Sequence, residues 1–117
     1  MDIKPFTVTV GEIYQKFKLE VISGFENMDE IEISNADVNR PSLQIAGFFD
    51  YFDVTRIQMI GKVETTYMEN MTPEQRYDSI DHLFSFDIPM LIVTRGLEIF
   101  PEMIELSKKH KVPLFRT

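Results

Sequence analysis

Five consecutive residues, Met90-Leu91-Ile92-Val93-Thr94, run without a charge or a break. Turn signals bound them on both sides, Asp87-Ile88-Pro89 before and Arg95-Gly96 after. A strand with one wet face alternates apolar with polar residues. A run that is apolar throughout fits a strand buried on both faces, the habit of parallel sheets. The residues that follow agree with this. Pro101 opens a helical pattern through roughly His110, with Met103, Ile104 and Leu106 apolar, and Pro113-Leu114-Phe115-Arg116-Thr117 reads as the next strand. Residues 90–116 are expected to form a βαβ unit, with parallel pairing and a right-handed crossover.

The earlier chain supplies more elements of the same kind. Residues 1–8 read as extended, with Phe6, Val8 and Val10 alternating. Thr9-Val10-Gly11-Glu12 is a capping box, and Val10, Ile13, Tyr14 and Phe17 follow at helical spacing, predicting a helix to about Lys18. Leu19 to Ile22 predicts a short strand closed by Ser23-Gly24, and Ile31-Glu32-Ile33 another. Asn35, Asp37 and Asn39 read as turn formers. Pro41 suits the first position of a helix carrying Leu43, Ile45, Ala46 and Phe48. Phe48, Phe49, Tyr51 and Phe52 form an aromatic knot in a loop, expected to be mostly core, with an interface patch as the alternative. Arg56 to Gly61 predicts a strand, Val63 to Met68 a short helix, and Thr72-Pro73-Glu74-Gln75 the capped start of a longer one. The fold class is α/β, a single domain over 1–117, with a mixed, partly parallel sheet and helices on both faces.

Composition bounds the function classes. The 117 residues match one domain, which buries roughly 65% of its unfolded surface. The absence of cysteine excludes disulfides and thiolate metal sites, and fits a reducing cytoplasm. Twelve basic residues against nineteen acidic ones leave −7, the wrong sign for a phosphate-backbone partner, so nucleic acid is not expected. The basic run Lys108, Lys109, His110, Lys111 falls at a predicted helix C-terminus, where cations complement the macrodipole. No apolar run approaches membrane-spanning length, and the first residues do not resemble a signal peptide. The chain stops just after a predicted strand, so the expectation is the front part of a longer protein.

Candidate chemistry is sparse. Neither phosphate-loop glycine pattern is present, and Gly61-Lys62 mimics a P-loop end only superficially. His82 and His110 lie on separate predicted helices without zinc spacing, so no metal site is expected. Asp50 and Asp53 read either as a carboxylate pair for acid–base work or as turn residues. Thr94-Arg95-Gly96 follows the buried strand, where open α/β sheets place ligands. Arg95 with adjacent backbone amides can hold an anion there, or serve only as a surface loop. Arg40 before Pro41 is a similar case. With Asp50, Tyr51 and Arg56 in and beside the aromatic loop, Arg40, Arg95 and Gly96 complete the candidate ligand- or partner-binding set. No residue reads as catalytic, and no cofactor is expected in this chain.

Asn39-Arg40-Pro41-Ser42-Leu43-Gln44-Ile45-Ala46-Gly47-Phe48-Phe49-Asp50-Tyr51-Phe52, followed by Arg56-Ile57-Gln58-Met59-Ile60-Gly61 and Glu64, resembles the N-terminal domain of bacterial HPr kinase/phosphorylase. That family's pattern is S-R-P-G-L-E-x-A-G-Y-F-x-x-F and R-I-Q-L-x-G-x-T-E. Leu19 to Gly24, Ile88 to Leu97 and Val112 to Thr117 match as well. Asn39 stands for Ser and Ser42 for Gly. The resemblance implies a fold similar to the N-terminal domains of Mur ligases, which bind uridine nucleotides. It implies a non-catalytic regulatory or assembly domain of a serine kinase and phosphorylase of the phosphocarrier HPr, active in bacterial carbon catabolite control. ATP and Mg then belong to a C-terminal P-loop kinase domain in the same chain, and HPr is met through that domain. The implied assembly is a homo-oligomer, typically a hexamer, in the cytoplasm and without membrane contact. The alternative is a stand-alone module sensing a phosphometabolite or nucleotide.

Overall fold

The computed structural model describes residues 7–35 and 37–117. Its centre is the apolar run: Leu91–Val93 is strand β6, buried along its whole length, with parallel partners on both sides. In chain order the elements before it are β1 (Val8–Thr9), α1 (Val10–Phe17), β2 (Glu20–Ser23), β3 (Glu32–Ile33), β4 (Val38–Asn39), α2 (Ser42–Ile45), β5 (Ile57–Ile60), α3 (Lys62–Glu69) and α4 (Pro73–Phe84). Those after it are α5 (Pro101–His110) and β7 (Leu114–Arg116). The main sheet runs β2-β7-β6-β5-β4, parallel from β4 to β7, with β2 antiparallel on the free edge of β7. A separate antiparallel ribbon pairs β1 with β3.

Alternation along the strands divides the apolar residues into two cores. Ile60, Leu91, Val93 and Leu114 face α2–α5 and pack with Ile45, Met68, Ile80, Phe84 and Leu106. Met90, Ile92 and Phe115 face the other way, onto Val10 of α1, Leu19 and Ile33. Tyr14 of α1 stacks on Phe115 with ring centroids 5.7 Å apart. Helices therefore cover both faces, as the central run requires.

Local signals set the boundaries. Thr9 Oγ1 accepts the Glu12 N–H at 3.1 Å, Glu12 Oε1 accepts the Thr9 N–H at 3.2 Å, and Lys18 ends α1 in the left-handed conformation. Thr72 and Gln75 make the same reciprocal cap on α4. Arg116 forks onto Glu20 at 2.8 and 2.9 Å across the β2–β7 pair. The basic run at the end of α5 meets an acid: His110 Nε2 lies 2.7 Å and Lys109 Nζ 3.3 Å from Asp81 Oδ1 on α4.

Several expectations change. Asn39 is not a turn residue but half of edge strand β4, because two ladder positions opposite Ile57 and Gln58 recruit it. Pro41 precedes its helix rather than opening it, and α2 is a single turn, ended before Gly47 at φ 100°. The aromatic knot divides. Phe49 and Phe52 pack against Phe86 and the α2–α5 core, whereas Phe48 and Tyr51 are exposed. The extended reading of residues 1–6 lies outside the described residues.

Candidate functional site

Parallel strands bring their carboxyl ends to one edge of a sheet. Here that edge collects Arg40 after β4, Gly61 after β5, Thr94-Arg95-Gly96 after β6 and Thr117 after β7. The connecting helices from β4 through β7 pack on one face, and the strand order along this stretch never reverses. Diverging loops at a reversal are what opens a ligand crevice in doubly wound sheets. Without a reversal the edge is closed by side chains instead.

The closing group is an ion pair. Glu64 sits at the third position of α3, three residues past Gly61, and its carboxylate is 3% exposed. Glu64 Oε1 accepts the Gly61 N–H at 2.7 Å and Arg40 Nε and Nη2 at 3.1 and 2.9 Å; Oε2 accepts the Ser42 hydroxyl at 2.7 Å. Burial pushes this carboxyl up, but the Gly61 N–H, the Ser42 hydroxyl and the Arg40 guanidinium together outweigh it and hold the group below the usual glutamate range. A Cβ on Gly61 would meet the Arg40 guanidinium, so a larger residue there would push the arginine off its present place on Glu64. Beneath, Asn39 Nδ2 donates to Gln58 Oε1 at 2.7 Å and Gln44 Oε1 at 3.2 Å, and Gln58 Nε2 donates to the Arg56 carbonyl at 3.0 Å. Gln58 is fully buried, and the network satisfies it. Asn39 and Ser42, which stand where the family pattern has Ser and Gly, thus hold polar neighbours in place.

The six candidate residues do not form one site. Arg40, Arg95 and Gly96 share the carboxyl edge. Arg56 immediately precedes β5 and so lies at the opposite end, 3.5 Å from Asp53 and 4.0 Å from Asp37. Arg95 and Gly96 both adopt left-handed backbone, but their amides are spent: Arg95 N–H donates to Thr117 Oγ1 at 3.1 Å and Gly96 N–H to the Thr117 carbonyl at 2.9 Å. That corrects the expectation of an amide cradle for an anion. Asp50 and Tyr51 stand on the loop leaving α2, with Tyr51 wholly exposed at φ 63°. Asp53 is a turn residue, accepting the Thr55 hydroxyl at 2.6 Å and amide at 3.0 Å, bonds that lower its carboxyl pKa. These bonds match the turn reading of Asp53. Among the described residues, no group of three or more His, Asp or Glu is placed to hold a metal.

Glu64, Ser42, Gln44 and Gln58 are the site members that sequence reasoning passed over. The G-x-x-E spacing of Gly61 and Glu64 was their one legible signal, since it marks a helix start. Chemically, a glutamate held ionised by three donors is a weak base. The arrangement stabilises charge rather than moving protons. Arg40, half exposed above it, is the group that faces solvent.

The model of a family described as HPr Serine kinase N terminus matches residues 8–117. The HPr kinase/phosphorylase of Caldicellulosiruptor bescii is 46% identical over 112 residues, which are 96% of this chain and 36% of that protein. Those of Clostridium perfringens and Streptococcus thermophilus are 45% and 40% identical over 94% of the chain, and 35% and 36% of their own lengths. The chain thus spans about a third of these curated relatives. A solved structure of the CBS and DRTGG domains of the regulatory region of Clostridium perfringens pyrophosphatase, complexed with the activator diadenosine tetraphosphate, superposes with a TM-score of 0.61. It is 19% identical, over 94% of this chain and 41% of that one, and so shares the fold.

Proposed function

Because the chain belongs to the HPr Serine kinase N-terminus family, we propose that it is the non-catalytic regulatory and assembly domain of an HPr kinase/phosphorylase. The observation that carries this reading is the extent of the match. The chain is matched almost whole, yet it spans only 36% of the length of a relative bearing that name. On this reading the remaining two thirds hold the phosphoryl-transfer chemistry, bind ATP and Mg, meet HPr and form the core of a homo-oligomer in the cytoplasm. The present domain adjusts or assembles that machinery. The side chains support a role without chemistry, since the one buried carboxylate among the described residues is locked by donors.

The test compares three proteins: this chain alone, the intact enzyme, and the enzyme starting after the residue matched to Thr117. The chain alone is expected to transfer no phosphate to HPr. The shortened enzyme is expected to retain transfer, with an altered response to effectors or an altered mass by light scattering. Transfer by the chain alone, or a shortened enzyme unchanged in rate, response and mass, overturns the reading. The second reading is a sensor of phosphorylated metabolites or nucleotides at the carboxyl edge. Arg40, half exposed on a buried counter-ion, favours it. Its test is thermal shift at millimolar ligand, with Arg40→Ala and Arg95→Ala expected to abolish any stabilisation.

A further inference from the structure

A concavity of about 600 Å³ lies between α2, α3 and α4; it includes Gln44 of the polar network beneath the ion pair but neither Arg40 nor Glu64. Helix α4 turns its core stripe, Tyr77, Ile80, Leu83 and Phe84, inward. Another stripe at the same helical spacing, Gln75, Asp78, Ser79 and His82, lines the cleft opposite α2 and α3. A helix face turned to neighbouring helices is ordinarily apolar. This one is polar, and its walls are fixed. Ser79 Oγ donates to the Ile45 carbonyl at 2.6 Å, tying α4 to α2. The His82 ring lies tilted at 36° against Phe49, with centroids 4.1 Å apart. Asn70 Nδ2 donates to the Thr66 carbonyl at 2.9 Å and Gln75 Oε1 accepts the Thr72 N–H at 3.0 Å.

Those bonds leave a mixed set of free groups: the Asn70 carbonyl and the Asp78 carboxylate as acceptors, the Gln75 amide and the Tyr67 hydroxyl as donors. Among the described residues no lysine or arginine lines the cleft, and the one formal charge there is negative, which disfavours a phosphorylated ligand. An ammonium only donates, and would leave the Gln75 amide unmatched. Hydroxyl groups both donate and accept, and Tyr67 adds an aromatic surface for the carbon face of a ring. We propose that this cleft binds a neutral, multiply hydroxylated small molecule of sugar or polyol chemistry. The inference is independent of the regulatory reading and of the Arg40–Glu64 edge.

The test is a ¹H–¹⁵N NMR titration of the 117-residue chain with glucose and with maltose, run beside glucose 6-phosphate and methylammonium. Either neutral sugar is expected to give saturable shifts confined to residues 44–47 and the segment 67–82, and the phosphate ester and the ammonium far weaker ones. Asp78→Ala and Tyr67→Ala, both at exposed positions, are expected to weaken binding about tenfold each while leaving the spectrum elsewhere unchanged. No saturable shift with either sugar at ~50 mM, enough to populate a millimolar complex, overturns the proposal. So does a stronger response to the ester or the ammonium, or binding that ignores both substitutions.

Discussion

Arg40 and Glu64 are unequal partners. The guanidinium is half in water, while the carboxylate is almost fully buried and relies on three donors. Truncating the arginine leaves a buried charge with two neutral donors; truncating the glutamate leaves an arginine free to hydrate. Arg40→Ala is expected to cost about 2 kcal/mol in urea unfolding, discounted for the exposed guanidinium. Adding Glu64→Gln should recover part of that, because the buried charge is then gone. The pH dependence has a definite sign. A carboxyl whose folded pKa is depressed stabilises the fold above its unfolded value, about 4.3, and the contribution disappears as pH falls through the folded value. Glu20, Asp53, Asp81 and Glu102 are depressed too, so the whole protein weakens in acid. The Glu64 share is the difference in stability–pH slope between wild type and Glu64→Gln below about pH 4.5. Equal slopes would refute the assignment.

Among the elements, one side chain on α4 bonds to both α3 and α5. Arg76 on α4 forks onto Glu102 of α5 at 3.1 Å through both Nε and Nη2, donates to the Met68 carbonyl of α3 at 3.1 Å, and lies 4.4 Å from the Phe100 ring centroid. Both charges are mostly buried. Arg76→Ala is expected to cost about 3 kcal/mol, because the mostly buried Glu102 loses its guanidinium fork, while the Met68 carbonyl keeps the Met71 N–H. Arg76→Lys should recover only part, since an ammonium cannot keep the fork. Thermal melts of the two variants check this. Sequence signals for these helices were strong where chemistry is local: Thr9–Glu12, Thr72–Gln75 and Pro101 each announce a start. Asn39 misled because Asn is common in turns, and a two-residue parallel edge strand leaves no period to read.

At the scale of the whole molecule, one sheet serves two cores. Ile60 points toward α2–α5, and Ile92 toward α1 and the β1–β3 ribbon. A sheet shared by both cores couples them. Ile60→Val and Ile92→Val are expected to cost about 1 kcal/mol each and to shift a single circular-dichroism midpoint in urea. Two separable transitions would show that the α1 side folds on its own.

Met90 to Thr94, with its flanking prolines and glycine, was sufficient to determine a doubly covered parallel strand and the βαβ unit around it, because burial on both faces writes itself into composition. The resemblance located the family, and the caps located most helices. Which residues meet at the carboxyl edge depended on strand order, and strand order is a matter of long-range pairing that no local pattern encodes. That order put Arg56 at the far end from Arg40, spent the Arg95 and Gly96 amides on Thr117, and brought Glu64 under Arg40 across 24 residues of chain.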